Sequence, residues 1–327
     1  MTLFLRKHTR PFAFPAAIGY AFHSAKRRRE GPGMLDVSTF AYNAEAPFEL
    51  TVLAERVKDE VRIQDISFKS PLSGKVSAYL IVPPDPRTHA GLIFGHWGEG
   101  DRGEFVDEAL VLARLGCVSL CLDASFRRPA AFEPEEELPQ ADLQWIVDVR
   151  RAVDIVQNRF GLLPGHIGYV GHSFGASFGG VIAGVERRIS AYVLMAGAAS
   201  ATEIMRTSQH PLIVKARENT PSEAWEAMLA VEAPYDACHY IGQAAPAALL
   251  FQFARHDDFV PMQEAERYFD LASEPKRIAW YEDCNHELSA RARIDRVLFL
   301  CEQLGLMAPS QHVLDLLEGI PPPVPIG

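Results

Sequence analysis

The stretch HIGYVGHSFGASFGGV, His166–Val181, decides how the rest of the chain is read. An apolar run ends at Gly171, Ser173 stands between Gly171 and Gly175, and Gly179-Gly180 follow within a helix-compatible segment. Gly-x-Ser-x-Gly at a change from strand to helix is either an ordinary small-residue turn or a device that lifts a serine out of the backbone. Three fixed positions are weak evidence alone, so the flanking sequence must decide.

Upstream, Ile146, Val149, Val153, Val156 and Phe160 recur at spacings of three and four, the period of an amphipathic helix, which Gly161 stops. Before that helix, AGLIFGHW (90–97) reads as a buried strand feeding the Gly-rich GEGDRG, EFVDEALVLARLG (104–116) as a helix, and CVSLCLD (117–123) as another buried strand. VRIQDISFKS and KVSAYLIVP, separated by PLSG, read as a β-hairpin over about residues 61–83. Downstream, ISAYVLMAG, APAALLFQFA and KRIAWYED are three further strands, with PMQEAERYFDLAS (261–273) a Pro-started helix. Apolar strands alternating with helices imply a mostly parallel, doubly wound α/β sheet covered on both faces, with the hairpin as its antiparallel edge.

Residues 199–244 interrupt the alternation. They contain NTPSEAWEAMLAV, where Thr220, Pro221 and Glu223 predict a capping-box helix start, and they read as a small helical cap inserted at the carboxyl edge of the sheet, where open α/β sheets bind ligands. Trp225 and Met228 are candidates for lining a pocket beneath it, although an aromatic at helical spacing more often packs than binds. The α/β unit thus spans 61–305, preceded by an extension (1–60) and followed by a tail (306–327) whose IPPPVPIG has too many prolines for regular structure.

Bulk properties bound the function. A net charge of −10 argues against nucleic acid as a partner, and no apolar run reaches the roughly 18–20 residues of a membrane span. The five scattered cysteines, with no C-x-x-C pair, suggest neither a disulfide framework nor a zinc site, so a reducing, cytoplasmic setting is expected. The histidines lack metal-ligand spacing, and neither metal nor cofactor is implied. Residues 1–33 carry seven basic residues against the single acid Glu30. They read as a transit-like segment or as a non-native extension before Met34. Oligomeric state is left open, a homo-oligomer included.

A serine hydroxyl is a poor nucleophile at neutral pH and needs a base, itself oriented by an acid. FQFARHDDFVP carries Asp257 and Asp258 just past a strand, and IAWYEDCNHELSA places His286 just past the next. Either aspartate can serve as the acid by position. Asp283 lies too close to its strand and Asp123 ends the wrong one. Cys284 reads as a small buried hydrophobe rather than a second nucleophile.

With GHSFG, RHDDFVP and CNHEL in the order Ser, Asp, His, the chain resembles the α/β-hydrolase fold, and within it the dienelactone-hydrolase-like and prolyl-oligopeptidase-like esterases, over roughly residues 61–305. The resemblance implies Ser173 as nucleophile after the fifth sheet strand, His286 as base and Asp257, four residues before the Pro of D-x-x-V-P, as acid. It also implies an oxyanion hole made by the N–H of Phe174 and an N–H of Trp97 or Gly98 in the loop after the third strand. Trp97 is alternatively a wall of the acyl pocket. His96 reads as structural, and Glu99, Asp101 and Arg102 as solvated loop charges. Dienelactone hydrolases proper use a Cys nucleophile where this chain has Ser173, so lactone specificity is not implied. The expectation is a serine hydrolase of small to medium carboxylic esters. The alternatives are a peptidase or amidase of the same fold, which the absence of a large gating domain disfavours, and a non-catalytic binding protein on the same frame.

Overall fold

The mixed sheet grows outward from four fully buried strands: β4 (Ala90–Gly95), β5 (Cys117–Leu122), β6 (Ile167–His172) and β7 (Ala191–Met195). Their residues are buried on both faces, which is why each reads as a continuous apolar run rather than an alternation. The structure is a computed structural model and describes residues 35–85, 89–127 and 141–321. The expectations for residues 1–33 and for most of the Pro-rich end fall outside them.

Two further parallel strands, β8 (Ala248–Ala254) and β9 (Lys276–Tyr281), complete one side. On the other side β2 (Val61–Lys69) and β3 (Lys75–Val82) form the expected hairpin, with β3 antiparallel to β5. A ninth strand, β1 (Thr51–Lys58), pairs antiparallel with β2 and moves the start of the sheet ahead of residue 61. Its sequence hides it. Every residue of TVLAERVK is exposed, so no apolar alternation marks it, and its turn to β2 uses Asp59 and Glu60, both at positive φ, where Asn-Gly or Asp-Gly would be the recognisable signal. Ser173 therefore follows the sixth strand and the Gly-rich loop the fourth, one later than expected in each case.

The order is β1-β2-β3-β5-β4-β6-β7-β8-β9. Helices α2 (Ala141–Phe160), α3 (Phe174–Val185) and α7 (Met262–Leu271) pack on one face, and α1 (Val106–Ala113), α8 (Ala290–Leu304) and α9 (Gln311–Glu318) on the other. Helix α9 corrects the reading of 306–327 as a tail. Ser310 caps it by accepting the N–H of Val313, and Val313 and Leu317 are buried. Arg293 of α8 donates to the carbonyls of Leu317 and Ile320, satisfying acceptors that a helix end leaves open.

The inserted cap consists of α4 (Ala201–Thr207), α5 (Pro211–Glu218), α6 (Ser222–Glu232) and short 3₁₀ turns. The capping box does not form. Pro221 occupies the N-cap of α6, and the Thr220 hydroxyl instead donates back to the carbonyl of Ala216, an acceptor that the end of α5 leaves free. Among the described residues no helix is long and apolar enough to cross a membrane.

The strand order reverses at β4, with β5 on one side and β6 on the other. A crevice opens at the carboxyl ends of strands flanking such a reversal. Trp97 leaves β4 there and Ser173 leaves β6.

Candidate active site

Ser173 sits at φ 52° and ψ −105° between β6 and α3. Few side chains adopt this backbone, and the turn survives because its surroundings enforce it. The Ser173 N–H donates to Met195 O at 2.8 Å, and Ser173 O accepts the Ser177 N–H at 2.8 Å. The flanking glycines are required by close approach. A Cβ on Gly171 would lie 2.4 Å from Gly175 O, and one on Gly175 2.2 Å from Gly95 O, backbone atoms that cannot yield.

His286, from the loop after β9, reaches this turn: its Nε2 lies 2.7 Å from Ser173 Oγ. Its Nδ1 lies 3.0 Å from each carboxylate oxygen of Asp257, which leaves β8. The Asp257 side chain is 1% exposed, and its Oδ1 accepts the N–H groups of Phe259 and Val260 at 2.8 and 2.9 Å. Nδ1–H donating to the carboxylate leaves Nε2 free to accept the serine proton.

Asp258 is exposed and faces elsewhere. It accepts from the amide of Asn285, whose Oδ1 in turn accepts the N–H groups of Asp258 and His286 at 2.9 and 2.8 Å. Asn285 thus clips the loop of Asp257 and Asp258 to the loop of His286. The sequence reading missed it because a lone Asn in a loop carries no spacing signal.

The loop after β4 is held by buried polar contacts. His96, 1% exposed, donates from Nδ1 to Trp97 O and accepts the Ala124 N–H on Nε2 at 2.9 Å. It is then the neutral tautomer, and burial pushes its pKa down. Arg102 is no solvated charge. It pairs with Asp65 at 2.6 Å, lies over the Tyr79 ring, and donates its N–H to Asp123 at 2.8 Å, tying the loop to the sheet. Glu104, which the sequence reading passed over, is buried, and one of its oxygens accepts the N–H of Trp97 at 2.9 Å. Of the three candidate oxyanion donors, Phe174 opens α3 beside Ser173, Gly98 follows in the loop, and Trp97 is already engaged.

Glu104 also lies 2.6 Å from Nδ1 of His172, the residue before Ser173, while His172 Nε2 lies 2.8 Å from the carbonyl of His286. Burial pushes the His172 imidazole down, but the charge of Glu104 and the hydrogen bonds to Glu104 and to the His286 carbonyl outweigh it and raise its pKa. Cys284 is half-buried and burial pushes its thiol up to about 11, which keeps it a neutral thiol.

Beside His286 lies a cavity of about 70 Å³ lined by Trp97, His210, Asp258, Phe259, Asn285, His286 and Glu287. The cap contributes His210, whose ring stacks on Phe259 at 3.8 Å, and not Trp225 or Met228. Trp225 is a packing residue, 3% exposed.

No family model matches the chain, and no curated protein matches it in sequence. Solved structures do match in fold. An acetyl xylan esterase from Paenibacillus sp. R4 superposes with TM-score 0.67 at 18% identity, over 79% of this chain and 90% of that one. Acetyl xylan esterase 1 from Thermoanaerobacterium sp. JW/SL YS485 gives 0.68 at 15%, over 83% and 95%. An S-formylglutathione hydrolase from Agrobacterium tumefaciens gives 0.58 at 15%, over 78% and 100%. Together with the sheet order and the inserted cap, these likenesses identify the α/β-hydrolase fold.

Proposed function

We propose that the chain is a carboxylic ester hydrolase in which Ser173 attacks the ester carbonyl, His286 moves the proton and Asp257 holds the imidazole. The observation that carries this reading is the continuous line from Ser173 Oγ to His286 Nε2 at 2.7 Å and from His286 Nδ1 to both Asp257 oxygens at 3.0 Å. Attack forms the Oγ–carbonyl bond while the hydroxyl proton passes to Nε2. The resulting imidazolium is stabilised by Asp257 and returns its proton to the leaving alkoxide. Water then repeats the step on the acyl-serine, releasing the acid and the free hydroxyl.

The tetrahedral oxyanion needs two donors, worth about 3–4 kcal/mol each where they have been removed. The Phe174 N–H is one. Because the Trp97 N–H is spent on Glu104, Gly98 is the candidate for the second. Trp97 then acts as a pocket wall.

Ester rather than amide cleavage is supported by the solved neighbours described as esterases. A short acyl group is supported by the small cavity between Trp97, His210 and Phe259, which has room for about two water-sized bodies. The test is intact mass after fluorophosphonate treatment together with hydrolysis of p-nitrophenyl esters of increasing chain length. A single adduct on the wild type, absent from Ser173→Ala, with acetate turned over faster than octanoate, is the expected result. Absence of an adduct on the folded wild type refutes the reading.

A further inference from the structure

His172 and Glu104 form a polar pair that the acyl-transfer steps above do not use. His172 is completely buried at the end of β6, and the Glu104 side chain is 5% exposed. A buried charged pair is costly to maintain and is a weak source of stability, so its partners indicate what it holds in place.

The partners define its ionisation. The carbonyl oxygen of His286 can only accept, so the 2.8 Å contact requires a proton on His172 Nε2. The Nδ1 atom faces Glu104 Oε1 at 2.6 Å, the short range of a charge-assisted bond. The other oxygen of Glu104 accepts the Trp97 N–H at 2.9 Å, so each of its two oxygens faces a nitrogen. Two ring nitrogens that both face acceptors make His172 an imidazolium. The indole of Trp97 stacks on that ring, 5.9 Å between centroids at 14°, a face suited to a cation.

We propose that Glu104 and His172 are positioning residues: a buried carboxylate–imidazolium brace that joins the Gly-rich loop at Trp97 to the backbone of His286, and so sets the base over Ser173. The proposal rests on the esterase reading. Each half of the machinery is anchored through it. His172 is covalently next to Ser173, its Nε2–H holds the peptide of the base, and Glu104 fixes the loop that borders the oxyanion site. Asp257 orients the imidazole of His286 from its ring, whereas the brace orients the same residue from its main chain. Misplacing a reacting group by about 1 Å costs on the order of 10²-fold in rate.

The test compares the full-length wild type with Glu104→Gln, which keeps the shape and removes the charge, and with His172→Asn. In ¹⁵N-histidine-labelled wild type at pH 7.5, the His172 resonances, identified by their loss in His172→Asn, should show both ring nitrogens protonated. With p-nitrophenyl acetate, and with rates normalised to fluorophosphonate-titrated Ser173, both variants should lose kcat by on the order of 10²-fold while KM changes less than about threefold. A merely structural role would lower thermal stability and the titratable fraction but leave kcat per site unchanged, and that outcome overturns the proposal. So does a neutral His172 in the wild type, a readout that asks no activity of either variant. A wild type with no turnover and no Ser173 adduct overturns the esterase reading itself and the catalytic role of the brace with it. An active wild type beside a fully active Glu104→Gln overturns the brace alone.

Discussion

Asp257→Asn and Asp258→Asn should differ by about three orders of magnitude in activity, although they are neighbours and make the same chemical change. At Asp257 the structure dictates how the introduced amide must sit. The Phe259 and Val260 N–H groups both point at Oδ1, so the amide oxygen takes that place and the NH₂ takes the place of Oδ2, facing His286 Nδ1 at about the present 3.0 Å. Oδ1 also lies 3.0 Å from Nδ1, but it already takes two backbone N–H groups, so the contact with the NH₂ decides the tautomer: Nδ1 accepts, the ring proton moves to Nε2, and no lone pair is left for the serine proton. A wrong-tautomer histidine of this kind lowers kcat by roughly 10⁴, or about 5.5 kcal/mol at 1.36 kcal/mol per tenfold.

At Asp258 the exposed carboxylate loses only its charge assistance to the Asn285 amide, because the introduced amide oxygen still accepts and the backbone N–H to Asn285 is untouched. An exposed charged contact of that sort is worth about 1 kcal/mol or less, so activity should stay within about fivefold of wild type. The assay is kcat/KM for p-nitrophenyl acetate on variants matched for thermal midpoint. Asp257→Asn within tenfold of wild type, or a lower rate for Asp258→Asn than for Asp257→Asn, would refute the argument from amide orientation.

Three further outcomes follow from the geometry. Ser173→Gly should be more stable than Ser173→Ala by about 1 kcal/mol, since both lose the hydroxyl but only glycine relieves the backbone at φ 52°, ψ −105°; equal melting temperatures would remove strain from the account of the turn. Gly175→Ala should lose about 1–3 kcal/mol or more, because its Cβ would meet Gly95 O at 2.2 Å, whereas Gly98→Ala meets nothing within 4 Å and should melt with the wild type. Glu232, at the end of α6, has its pKa raised by burial and by the charge of Asp236. The folded form therefore binds this proton more tightly than the unfolded form, and stability falls as pH rises from the usual carboxylate range through the raised pKa. Glu232→Gln should accordingly stabilise the protein at pH 8, by about 1–3 kcal/mol, and have little effect near pH 4.5; a variant no more stable than wild type at pH 8 would be evidence against a half-buried, repelled carboxylate in the cap.

Much of the molecule is legible without coordinates because it rests on local chemistry. Buried strands announce themselves as apolar runs, α2 as a period of 3.6, and the turn at Ser173 as glycines where a side chain would collide with backbone. The order Ser, Asp, His along the chain, each just past a strand, follows from the same signals. Where local signals were absent the sequence was silent: β1 is exposed on every residue, and the amphipathic signal of α9 is overshadowed by the prolines that follow it. Position in the sequence left two adjacent aspartates open, with only the family resemblance favouring Asp257; tertiary structure turns Asp257 toward His286, brings His210 rather than Trp225 into the cavity, and buries the Glu104 side chain while Asp101, three residues away, is exposed. The reason is distance along the chain. Glu104 meets His172 across 68 positions and His172 meets the carbonyl of His286 across 114, and periodicity within a strand or helix carries no information about partners so far apart.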